Sequence, residues 1–119
     1  MALHIIKGKD GERMAREFLV NKGFTIVACN WRSGRQEIDI IAFKEKILHF
    51  IEVKTRHSLK FGYPEEAVTK KKFNAMRKAA VVFMSRHQHV KRIQFDIVSV
   101  LVIHGRPVEF FFIEDVYFY

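Results

Sequence analysis

Two runs rich in Ile, Val and Phe, Glu37 to Phe43 and Ile47 to Thr55, are separated only by the polar Lys44-Glu45-Lys46, which reads as a β-hairpin. The hairpin carries charge where strands are usually apolar. Side chains alternate along a strand, so Glu37, Asp39 and Ile41 are expected on one face and Ile38, Ile40 and Ala42 on the other. Phe50, Glu52 and Lys54 likewise share a face, opposite Ile51 and Val53. A turn centred between Glu45 and Lys46 sets Ile40 opposite Ile51, Ile38 opposite Val53 and Asp39 opposite Glu52. Two carboxylates facing each other destabilise a sheet unless something positive sits between them, and a divalent cation would resolve the conflict.

Hard cations such as Mg²⁺ or Mn²⁺ take oxygen ligands, usually one or two carboxylates completed by water and substrate phosphate. Asp39 and Glu52 supply that set, and Lys54 can hold water or offset charge developing on a phosphate. Each charge alone reads as half of a solvated cross-strand ion pair. The set reads differently, because Ile41 and Phe50 continue the same face into apolar material and imply a partly covered cleft. Glu12, at the start of a helix on the side of Ala15 and Leu19, suits the helix dipole and also lies where it can lean toward an ion.

Ala15, Phe18 and Leu19 recur at helical spacing and Gly23 stands where a C-cap glycine belongs, so a helix is expected over roughly 10 to 22. Phe24 to Asn30 reads as a strand. Pro64, Glu65 and Glu66 suit a helix start, while Phe73, Met76, Ala80, Phe83 and His87 trace one face of a long helix; whether Thr69 begins a second helix stays open. Ile93 to Ile103 and Val108 to Val116 read as strands joined through His104-Gly105-Arg106-Pro107. The resulting order, α-β-β-β-α-β-β, implies an α/β protein with a central mixed β-sheet flanked by helices. With 119 residues, no linker and no repeat, the whole of 1–119 is expected to be one domain.

Twenty-one Lys and Arg against thirteen Asp and Glu leave a net charge of +8, a field that favours DNA or another polyanion as partner. Arg32 and Arg35 precede the Asp39 strand, and Arg56, His57 and Lys60 follow Lys54, so phosphate-holding charges bracket the carboxylates. Lys70 and Lys71, with Lys72, Arg77 and Lys78, add either a nucleic-acid surface or a solvated helix face. Trp31 is a candidate for stacking on a base, although a lone aromatic near a turn more often packs. The six histidines have no zinc spacing and read as surface residues, and Asp96 reads as an edge or paired carboxylate. Phe110, Phe111 and Phe112, with Tyr117, Phe118 and Tyr119, bring aromatics to both faces of the last strand; most are expected in the core, and the excess offers a C-terminal aromatic segment for a homodimer. Cys29 is the sole cysteine, no apolar run reaches membrane-helix length, and Lys7, Lys9 and Asp10 interrupt any signal-like core, so a cytoplasmic, membrane-free protein is expected.

Asp39, twelve intervening residues and then Glu52-Val53-Lys54 resemble the PD-(D/E)XK nuclease signature. Gly8, Gly11-Glu12 and Ala15, Asn30-Trp31-Arg32, Glu37 to Ala42, Glu52 to Arg56, and Phe61-Gly62 with Pro64 together are similar to the YraN-like family of small bacterial proteins. That family is described as predicted endonucleases distantly related to archaeal Holliday-junction resolvases. The resemblance implies a restriction-endonuclease-like three-layer fold and DNA phosphodiester hydrolysis, extending to branched or junction DNA. It also implies that Asp39, Glu52 and Glu12 bind the metal and that Lys54 is the catalytic lysine. Gln36 stands where the family commonly has glycine, and Ile38 where the generic signature has proline. Intact carboxylates favour an enzyme over a non-catalytic nucleic-acid-binding module, because binding alone would gain from removing negative charge near phosphate.

Overall fold

The computed structural model describes residues 8–58 and 69–116. The elements run α1 (Gly8–Asn21), β1 (Thr25–Ser33), β2 (Gln36–Lys44), β3 (Ile47–Arg56), α2 (Lys70–Ser85), β4 (Arg92–Leu101) and β5 (Glu109–Ile113). The order is the one expected. The strands form one sheet in the order β1-β2-β3-β4-β5, mixed because β3 and β4 pair in parallel while the other neighbours are antiparallel.

Local chemistry sets the ends of the elements. α1 stops where the Phe24 N–H bonds to the Leu19 carbonyl and the Gly23 N–H to that of Val20, with Gly23 at φ +95°, a left-handed cap that glycine adopts without strain. Thr69 answers the open question about the second helix: its side chain accepts from the Lys72 N–H, capping α2. The helix start expected at Pro64 to Glu66 lies outside the described residues. The β2–β3 turn has Glu45 at φ 52° and Lys46 at φ 68°, the pair of left-handed residues that a two-residue hairpin turn demands.

Both faces of the sheet are covered. Ala15 and Leu19 of α1 pack with Phe24, Ile40, Ala42, Ile51, Val98 and Val100 on one side. Ala79, Ala80 and Phe83 of α2 pack with Ile41, Leu48 and Phe50 on the other. Ile38 joins the α2 side with Ile41 instead of sharing a face with Ile40, so strict alternation breaks around Asp39. The C-terminal aromatics are partly spent inside the chain: Phe110 and Phe112 pack on the α1 side, where Phe110 stacks on Phe18 at 4.7 Å. Tyr117 to Tyr119 lie outside the described residues. Among those described, no helix is long and apolar enough to cross a membrane.

α1 meets the sheet closely at its first turns. A Cβ built on Gly11 would lie 1.9 Å from Thr55 Oγ1 and 3.2 Å from Thr55 Cβ, so nothing larger than glycine fits against β3 there. Gly11→Ala is therefore expected to destabilise the protein by about 1 to 3 kcal/mol through overpacking. Thr55→Ala in the same chain should restore much of the loss, and equal thermal melts for wild type and Gly11→Ala would refute the close contact.

Candidate active site

The β2–β3 ladder pairs Lys44 with Ile47 and continues to Ile40 with Ile51, as the expected register requires. There it ends. Asp39 does not sit opposite Glu52 in a continued ladder, nor Ile38 opposite Val53. β2 instead stays paired with β1 down to Gln36 and Ser33, and its first half parts from β3. Into the opening the Asp39 carboxylate inserts, its Oδ2 accepting the Val53 N–H at 2.8 Å. The side chain thus replaces the main-chain acceptor that the departing strand withdrew. This break is also why Ile38 changes face.

Glu52 points toward α2. Its side chain is only 12% exposed, and Lys72 Nζ lies 3.3 Å from Oε2. The approach forms an ion pair without hydrogen-bond alignment, so Oε2 is buried with its hydrogen-bonding capacity unmet among the described residues. Lys54, half-buried two residues further along β3, adds positive charge felt by Glu52. Glu12, half-buried in α1, is near enough to disfavour ionisation of both carboxylates.

The electrostatics are those of a crowded acidic pair. Burial, and then the neighbouring Glu52, push the Asp39 carboxyl up to about 7, with Glu12 adding to them against the Val53 N–H and Lys72. Burial also raises Glu52 above the ordinary carboxylate range, outweighing the pull of Lys72 and Lys54. A hard divalent cation fits this donor set: two partly buried carboxylates, one with an unsatisfied oxygen, that repel each other until a positive charge arrives. Among the described residues no three His, Cys, Asp or Glu side chains form a group that could hold an ion. The charge of Glu12 is felt by both members of the pair.

Topology gathers the basic residues at this same end of the sheet. β1 ends, β2 begins and β3 ends here, so Arg32, Arg35, Arg56 and His57 lie at the same end of the sheet as the opening, all exposed. Arg32 makes a loose ion pair with Glu37 at 3.5 Å. α1 enters beside Thr55 and α2 beside Glu52, so both helices direct their N-terminal, partially positive ends to the site. Lys70 and Lys71 are exposed at the start of α2, while Lys60 lies outside the described residues. Trp31 packs edge-on against Phe83 at 5.4 Å, which favours the packing role over base stacking.

The sequence groups Lys72 with its lysine neighbours as either a nucleic-acid surface or a solvated helix face, and does not assign it to the acidic pair. A signal existed: Lys72 precedes Met76, Ala79 and Phe83 by four, seven and eleven positions, which places it on the buried stripe of α2. His49 is a correction of another kind. It is 4% exposed, not a surface residue, and its Nδ1 lies 2.6 Å from Asp96 Oδ2. Asp96 is the paired carboxylate expected, but within the sheet and not at an edge, and it also accepts from Gln94 Nε2 and the Asp115 N–H. His49 borders a concavity of about 240 Å³ with Phe24 and Phe112, toward the opposite end of the strands from the acidic pair.

The model of a family described as "Uncharacterised protein family UPF0102" matches residues 11–100. A UPF0102 protein of Chloroherpeton thalassium is 40% identical over 126 residues, covering 98% of this chain and 97% of that one. Another, from Dictyoglomus turgidum, is 44% identical over 96 residues, covering 80% and 81%. A solved structure of Archaeoglobus fulgidus Hjc, a Holliday junction resolvase, superposes with a TM-score of 0.47 at 18% identity, covering 87% of this chain and 75% of that one.

Proposed function

The chain belongs to the uncharacterised protein family UPF0102, and we propose that it is a metal-dependent endonuclease that hydrolyses phosphodiester bonds in DNA, branched or junction DNA included. The observation that carries this reading is the buried Asp39–Glu52 pair. Its two carboxylates are held by different strands, each is made harder to ionise by burial, and Lys54 stands beside Glu52. Folding them there without a task would waste stability, since apolar residues could fill the same volume.

Asp39 and Glu52 would hold Mg²⁺ or Mn²⁺, which when bound supplies Lewis-acid polarisation and a more acidic water. The protein's own residues do the remainder. The Val53 N–H fixes the Asp39 carboxylate in place. Lys54 presents a fixed ammonium to the charge that develops on the phosphate. Arg32, Arg35, Arg56, His57, Lys70 and Lys71 hold flanking phosphates without reading bases, as a net charge of +8 suits. Pairing of two copies through the C-terminal segment belongs to the same proposal, because β5 is a sheet edge.

The test is to incubate the purified protein with labelled junction, nicked, duplex and single-stranded DNA in Mg²⁺, Mn²⁺ or EDTA. Cleavage that requires the metal supports the reading. Lys54→Ala is expected to slow it by on the order of 10²- to 10³-fold while changing DNA affinity by less than about tenfold. Binding without cleavage of any substrate would replace the enzyme with a nucleic-acid-binding module.

A further inference from the structure

Lys72 reaches the acidic pair from α2, whereas Asp39 and Glu52 both belong to strands, so the counter-ion and the carboxylates sit on separate elements. Its ammonium is 3.3 Å from Glu52 Oε2 and its field favours the ionised form of both Glu52 and Asp39. The Lys72 side chain is 43% exposed although Glu52 is nearly covered. A partly exposed side chain on a flexible four-carbon stem is a counter-ion that can leave.

A divalent cation on either oxygen of the Glu52 carboxylate comes within a few ångströms of the Lys72 ammonium, which lies 3.3 Å from Oε2, and two cations that close repel each other. The ammonium must then find another anion. It stands within the first turn of α2, beside exposed Lys70 and Lys71, where the helix end already favours a phosphate. We propose that Lys72 is an exchangeable counter-ion, holding Glu52 in the metal-free protein, yielding the Glu52 carboxylate to the arriving cation and passing its ammonium to a phosphate oxygen of the bound nucleic acid. This rests on the metal-binding reading given above. A fixed structural ion pair would behave oppositely, since it would hold Glu52 in position and its loss would not improve metal binding.

Titration calorimetry with Mn²⁺ on the full chain, without DNA, separates these cases. Lys72→Met removes the charge and keeps the length, and it is expected to bind Mn²⁺ tighter by on the order of tenfold, whereas Lys72→Arg, which keeps the charge, should gain little. DNA binding supplies the second readout, with a short fluorescent duplex and the Lys54→Ala background to suppress cleavage. With Mn²⁺ present, Lys72→Met should lower the salt slope by about one; in EDTA it should leave the slope nearly unchanged. Wild-type protein that binds no Mn²⁺ would overturn the metal reading itself. Wild type that binds Mn²⁺ with Lys72→Met unchanged or weaker overturns the exchange alone. A slope change of equal size with and without metal overturns the transfer to phosphate.

Discussion

Asp39→Asn is expected to abolish metal-dependent cleavage while raising the melting temperature of the metal-free protein at pH 8. The amide oxygen can still accept the Val53 N–H that Asp39 Oδ2 holds at 2.8 Å, so the backbone of β3 stays satisfied. What disappears is the charge, together with its burial cost and its repulsion from Glu52 and Glu12. With a folded-state value of about 7 against an ordinary 3.8, the folded protein holds the Asp39 proton more tightly than the unfolded chain does. Stability from that proton is present in full below about pH 4 and is lost as the pH rises toward 7. Asparagine pays no such cost, so its advantage should be near zero at pH 4 and on the order of 1 to 3 kcal/mol at pH 8, about 4 °C or more in melting temperature. Asp39→Ala should fall below wild type at acid pH, because it strands a partly buried N–H at a cost of about 1 to 3 kcal/mol. Thermal melts in EDTA at both pH values decide the matter. An asparagine variant that melts lower than wild type at pH 8 would make Asp39 a stabilising ion-pair partner and would remove the case for it as a metal ligand.

The affinity for Mn²⁺ should depend steeply on pH, because the cation must displace the proton from Asp39. Below the Asp39 value of about 7 the affinity is expected to rise tenfold per unit, and above it to level off. From pH 5 to pH 8 that amounts to about 100-fold. The elevated Glu52 carboxyl steepens the acid limb. Calorimetry in buffers of different ionisation enthalpy counts the protons directly: close to one released per ion near pH 6, and few above pH 8. A flat affinity profile would mean that the ion binds elsewhere.

Much of the architecture was legible in local patterns. The cap at Gly23, the turn at Glu45-Lys46 and the pairing of Ile40 with Ile51 follow from periodicity and from backbone preferences that act over a few residues. The candidate carboxylates were legible for a related reason: Asp39 and Glu52 interrupt strands that are otherwise apolar. Their relation was not. A two-residue period assumes that the ladder continues, whereas β2 leaves β3 after Ile40 and stays with β1, a choice between two partners that no single strand encodes.

The other corrections share this origin. His49 looked like a surface residue because its partner Asp96 is far away in sequence and comes beside it only when β4 pairs in parallel with β3. Lys72 looked like one of several helix lysines until the packing of α2 on the sheet brought it to Glu52. The sequence by itself determined the elements, their order and the cap and turn at Gly23 and Glu45-Lys46, since those depend on interactions between near neighbours. Only the tertiary structure decided that Asp39 would turn into the gap between two strands and that the counter-ion for Glu52 would come from a helix. Burial and electrostatic coupling are properties of what surrounds a group in space, and here those surroundings come from segments widely separated along the chain.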